Sequence, residues 1–132
     1  MKRRGVAIVA GVLAGMVSTA VLPAGSSDWI AIKSPHDLRA IYSNTTLTGK
    51  GPYGNIFVAY YKADGTGVLI ANNKRIPRTW VVKGDEVCVT DAVATNCFRL
   101  QRNRRHHDEI FARQTPDHWA VFFTVKAGVP KF

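Results

Sequence analysis

The sequence predicts a mainly β domain: an antiparallel meander of six to eight strands, curled into a small barrel or half-barrel, with one short N-terminal helix. Three observations lead there. Runs rich in β-branched and aromatic residues alternate with Gly-Asp and Asp-Gly turns from Ile56 to the end of the chain. One helix-start signal precedes them. Two cysteines sit at a spacing that suits neighbouring strands. Such a meander must curl or close to bury one face.

The helix is read over residues 35–43. Ser34 is an N-cap, Pro35 fits the first helical position, and Asp37 completes a capping box. Leu38, Ile41 and Tyr42 form its apolar stripe, and Asn44 with the β-branched pair Thr45-Thr46 ends it.

Beyond Lys50 the period changes. Ile56–Tyr61 and Val68–Ile70 flank Asp64-Gly65, and a two-residue loop there pairs Tyr61 with Val68 and Ala59 with Ile70. A second loop at Gly84-Asp85 pairs Lys83 with Glu86, Val82 with Val87 and Trp80 with Val89. Alternation then puts Trp80, Val82, Val87 and Val89 on the core face, with Val81, Lys83, Glu86 and Cys88 outside. Pairing Cys88 with Cys97 sets Val87 against Phe98 and Glu86 against Arg99, so one register satisfies hydrophobicity, charge and sulfur together. In an exported chain the two cysteines are expected to form a disulfide. A polar turn is read over Gln101–Asp108. Ile110–Arg113 and Trp119–Val125 supply the remaining strands.

Export is expected from the first residues. Lys2, Arg3 and Arg4 precede an uncharged run from Gly5 to Leu22, the pattern of a secretory signal peptide. Residues 1–20 are assigned to it, with cleavage after Ala20 or as late as Ser26, and residues 27–132 to a single β-rich domain. The rival, an uncleaved anchor, is disfavoured by Gly5, Gly11, Gly15, Ser18 and Thr19 within the run. No transmembrane segment is expected after cleavage, and the location is periplasmic or secreted. The net charge is +9 over 132 residues. It remains +6 without the three leading basic residues, which favours anionic partners.

The order Leu38-Arg39-Ala40-Ile41-Tyr42-Ser43-Asn44-Thr45, Tyr60-Tyr61-Lys62-Ala63-Asp64-Gly65, Thr79–Cys88 and Cys97-Phe98 resembles a family of small exported domains of unknown function from Gram-negative bacteria. The likeness covers roughly residues 34–100. It implies an export route and a β-rich fold, and it assigns no reaction or catalytic residue; the lipocalin-like shape of the barrel or half-barrel is read from the strand meander.

For chemistry, Arg102, Arg104, Arg105, His106 and His107 are the candidate anion-binding residues, since guanidinium forks suit phosphate and carboxylate. The competing reading is a solvated hairpin tip. A zinc site from His107, Glu109 and His118 lacks the usual ligand spacing, so no metal and no cofactor is assigned. A small basic exported chain is similar in outline to microbial ribonucleases, and Glu86 or Glu109, His118, and Arg99 or Arg113 supply the residue types that chemistry needs, but no spacing selects them. No Gly-x-Ser-x-Gly, phosphate loop or dinucleotide motif occurs. Tyr60, Tyr61, Trp80 and Trp119 are candidates for lining a cavity, with Trp80 read as core.

The resulting expectation is an exported domain that acts by binding, its partner an anionic ligand, an envelope component or another protein, with nucleic acid disfavoured. A phosphodiester hydrolase and a structural envelope protein without a small ligand are the alternatives.

Overall fold

The computed structural model describes residues 28–51, 53–115 and 120–131. The expected signal segment, His118 and Trp119 lie outside the described residues. The elements run β1 (Trp29–Ile32), α1 (Pro35–Tyr42), β2 (Thr45–Lys50), β3 (Ile56–Tyr61), β4 (Thr66–Ala71), β5 (Lys74–Lys83), β6 (Glu86–Thr90), β7 (Thr95–Asn103), β8 (Glu109–Thr115) and β9 (Ala120–Ala127).

Strands β2 to β9 pair in sequence order, all antiparallel. β9 returns to β2, and the eight strands form a closed barrel. β1 is the additional strand. It pairs with β7 from Leu100 to Asn103, beyond the stretch of β7 that faces β6. Closure answers the problem of exposed sheet edges, because every barrel strand has two neighbours over part of its length. Pro77 lies where β5 pairs with β4 but β6 does not reach, so its missing N–H removes no rung from the β5–β6 ladder.

α1 forms as its capping residues require. Ser34 Oγ accepts the Asp37 amide at 3.4 Å, and Pro35 opens the first turn. At the other end Ser43 Oγ and Thr45 Oγ1 donate to the carbonyls of Arg39 and Ile41, both at 2.6 Å, which satisfies two acceptors the helix leaves over. Asn44 then takes a positive φ of 58° and turns the chain into β2. Leu38, Ile41 and Tyr42 are buried, so the helix lays its apolar stripe over one end of the barrel and packs on β2, β5 and β6.

The interior follows the period-two alternation. Leu47, Ala59, Val87, Leu100, Ile110 and Ala112 face inward and are almost solvent-free. The β5–β6–β7 register is the one the sequence predicts, with Trp80 opposite Val89, Val87 opposite Phe98, and Cys88 disulfide-bonded to Cys97.

Four expectations are corrected. β1 and β2 precede or abut the helix where no strand was expected; β2 is rich in Thr, whose side chains suit a pleated wall as well as a helix stop. The first hairpin is shifted by one residue: Tyr61 pairs with Gly67 and Ala59 with Leu69. Gly65 occupies a positive φ of 94° as the third loop residue after a turn closed by Gly65 N–H to the Lys62 carbonyl, so the loop has three residues, not two. β5 begins earlier than read, because Asn72 and Asn73 both take positive φ and make a two-residue hairpin turn. β7 runs on to Asn103, so Gln101, Arg102 and Asn103 belong to a strand and the turn is shorter.

Candidate functional site

The barrel is not filled. A cavity of about 160 Å³ lies in its lumen, with Tyr42 of the capping helix among its lining residues. The other lining residues come from β2 to β9 and from Gly51 and Asn55, which belong to the end away from the helix. Most of the wall is apolar: Leu47, Phe57, Ala59, Leu69, Ala71, Val89, Phe98, Ala112, Val121 and Phe123. Small residues make the space. Ala59, Ala71 and Ala112 stand where larger aliphatic side chains would meet across the lumen.

Arg78 is the charged residue of this wall. Alternation from Trp80 puts it on the inner face, opposite Gly67 across β4. Gly67 is obligatory at this point, because a Cβ there would collide with the Tyr61 ring and lie 2.6 Å from the Tyr60 carbonyl oxygen. The absence of a side chain at Gly67 leaves room for the Tyr61 ring, which lies 4.9 Å from the Tyr42 ring at a tilt of 45°. Arg78 lies close enough to Tyr61 for its charge to pull against the upward push of burial on that hydroxyl. On its other side Arg78 Nη2 lies 3.5 Å from Asp91 Oδ2. Its Nε is buried and has no hydrogen-bond partner.

Burial pushes the hydroxyls of Tyr42 and Tyr61 upward, against the opposing pull of Arg78, so both are neutral O–H donors across the ordinary pH range. Asp91 is held below the usual carboxylate range by the amides of Val93 and Ala94, with a smaller contribution from Arg78. It is therefore ionised. Gln114 is 6% exposed and donates from Nε2 to Asn96 Oδ1 at 2.7 Å, while its own Oε1 is buried without a partner. Asn96 lines the cavity.

The basic segment is split by the strand end. Arg102 faces inward opposite Ile110 and has a buried Nε without a partner, whereas Arg104, Arg105, His106 and His107 are exposed on the turn. The expectation of three guanidinium groups on one turn is therefore corrected: β7 continues to Asn103, so Arg102 belongs to the strand and only Arg104 and Arg105 to the turn. Asn103 Oδ1 organises the turn by accepting the amides of Arg105 and His106. Arg105 Nε lies 3.5 Å from Asp28, and His107 Nε2 is 3.1 Å from the Arg104 carbonyl oxygen. Arg102, Arg104 and His107 meet Lys33 and Asp37 around a shallow groove beside β1.

Of the acid–base residues considered for hydrolysis, the two carboxylates lie at different places among the described residues. Glu86 accepts from Thr115 at the C-terminal end of β8 and pairs with Arg99 at 3.5 Å on the outer wall. Glu109 starts the same seven-residue strand at its other end. Among the described residues the metal-ligand atoms that gather are those of Glu86, Cys88 and Cys97, and sulfurs joined in a disulfide do not ligate a metal as thiolates do. No helix of the described residues is long and apolar enough to cross a membrane.

Trp80 is core: its ring is 5.6 Å from Tyr42 and its Nε1 donates to the Lys62 carbonyl at 2.8 Å. Tyr61 reaches the lumen, and Tyr60, one position along, takes the outer face. Arg78, Asn96 and Gln114 were not singled out from sequence. Parity with Trp80 was the available signal for Arg78, since an Arg two residues from a core Trp on one strand faces the same way.

No family model, no curated protein and no solved structure matches the chain.

Proposed function

We propose that the chain is an exported binding domain that holds a small molecule in its barrel lumen rather than transforming one. The observation that carries this reading is the apolar lumen of about 160 Å³ with a buried guanidinium N–H that has no partner. Protein interiors are normally packed to crystal density, and buried donors are normally paired. A cavity that departs from both rules at one place has the character of a ligand pocket, an apolar wall with a few convergent polar groups. The basic leader block and the disulfide support export.

The test is direct occupation. Toluene added to the purified, oxidised protein should perturb the NMR resonances of Leu69, Val89, Val121 and Phe57, and Ala59→Phe, which fills the lumen, should abolish the effect. A wild-type spectrum that does not move refutes the reading.

A second reading, recognition of an anionic envelope component at the closed end, is favoured by the groove that Lys33, Arg102, Arg104 and His107 share. Binding to an anionic polymer that weakens with salt and falls on Arg104→Ala/Arg105→Ala would support it. Binding unchanged in that variant would exclude the turn.

A further inference from the structure

Among the described residues that line the lumen Arg78 carries the formal charge, and Tyr42, Tyr61, Asn55 and Asn96 are the other polar side chains. Arg78 Nε–H is buried and unpaired. Tyr61 lines the space and, kept neutral by burial, has an O–H to give. Asn96 has its Oδ1 taken by Gln114, so its amide N–H groups are what it offers the cavity. A buried donor without an acceptor costs about 1–3 kcal/mol, and a charged one more, so the natural complement to this set is an acceptor carried inside the barrel.

We infer that the ligand is a small monocarboxylate with a single ring, or a branched alkyl body of similar size, its carboxylate on Arg78 and its body against Phe57, Leu69 and Phe123. The inference rests on the lumen being a binding site. Size follows from volume: an engineered cavity of about 150 Å³ admits benzene, and this one is about 160 Å³. Charge follows from counting. One guanidinium faces the space, and ionised Asp91 already pairs with its Nη2 at 3.5 Å, so its other N–H groups can hydrogen-bond one carboxylate edge but no second positive charge is available. A phosphate dianion would carry a second, unmatched charge into an apolar wall, and a cation would meet Arg78 head-on. A hydrocarbon would leave Nε unpaired.

The test compares three ligands of matched shape, benzoate, benzamide and toluene, on the same purified, oxidised protein at neutral pH, followed by NMR shifts of the lumen residues. Benzoate should bind at least tenfold tighter than benzamide and toluene. Arg78→Met should erase that preference, and Arg78→Lys, which keeps the charge but loses the fork, should fall between. Equal binding of benzoate and benzamide, or tighter binding of toluene, overturns the carboxylate assignment while leaving the lumen reading intact. Failure of all three to move lumen resonances overturns both. The ligand comparison on the unaltered protein decides the matter even if the Arg78 variants do not fold.

Discussion

Cys88 and Cys97 face each other across β6 and β7 on the outside of the barrel, one residue out of phase with the Val87–Phe98 pair that faces in. The bond therefore staples two walls without entering the lumen.

Removing this bond should lower stability and spare the lumen. The closed loop is about ten residues, for which the chain-entropy model gives roughly 2.5–3 kcal/mol. Denaturant titration of the Cys88→Ala/Cys97→Ala variant should show a loss of that order, with toluene occupation of the lumen retained in native buffer. A loss of stability near zero would mean that the two strands hold their register unaided.

Gly67→Ala should destabilise through Tyr61. The added methyl meets the ring and the Tyr60 carbonyl oxygen, and overpacking of this kind costs about 1–3 kcal/mol. Tyr61→Ala removes the ring and should relieve part of the cost, so the two changes should be less than additive in a double-mutant cycle. Additivity would place the clash on the backbone alone.

Trp80→Phe should cost about 1–2 kcal/mol in thermal or chemical denaturation, because the Lys62 carbonyl loses the indole N–H that it accepts at 2.8 Å. The lumen should be unaffected, since Trp80 sits behind Tyr42 rather than in the wall.

Stability should fall at both ends of the pH scale, for opposite reasons. Asp91 has its carboxyl pulled down by the Val93 and Ala94 amides, and Asp64 by the Thr66 hydroxyl and amide. The unfolded chain binds those protons more readily, so their contribution is present above about pH 4 and drains away as the pH drops through the lower folded values. Tyr42 has its hydroxyl pushed up by burial, so its contribution is intact below about pH 10 and is lost as the pH climbs toward the higher folded value. The denaturation midpoint measured against pH should show Asp91→Asn flattening the acid limb and Tyr42→Phe flattening the alkaline one. An acid limb unchanged by Asp91→Asn would assign that loss to other carboxylates.

How legible the molecule was depended on how many signals agreed at each point. Around Gly84-Asp85 the loop, the alternation, the Glu86–Arg99 charges and the sulfurs select one register, and that is the register found. Around Asp64-Gly65 the loop signal stood alone. Two- and three-residue loops share that dipeptide, and the difference shifts Leu69 rather than Ile70 into line with Ala59. β2 was hidden by its composition, because Thr45-Thr46 both stops a helix and builds a strand. At the site, the basic run drew attention by local charge density. Arg78 is set apart by isolation: it is the charged residue of the lumen wall, visible in sequence only by counting back from Trp80. The small side chains that leave room in the lumen carry no local signature, since an alanine reads alike whether a neighbour fills the space beside it or not.

The helix that covers one end of the barrel makes the lumen a cul-de-sac. On the proposed reading of the lumen, a guest leaves by the way it entered, so exchange is strictly sequential: the next molecule waits until the first has gone. Release should then follow a single rate constant that added competitor cannot hurry, and stoichiometry should saturate at one.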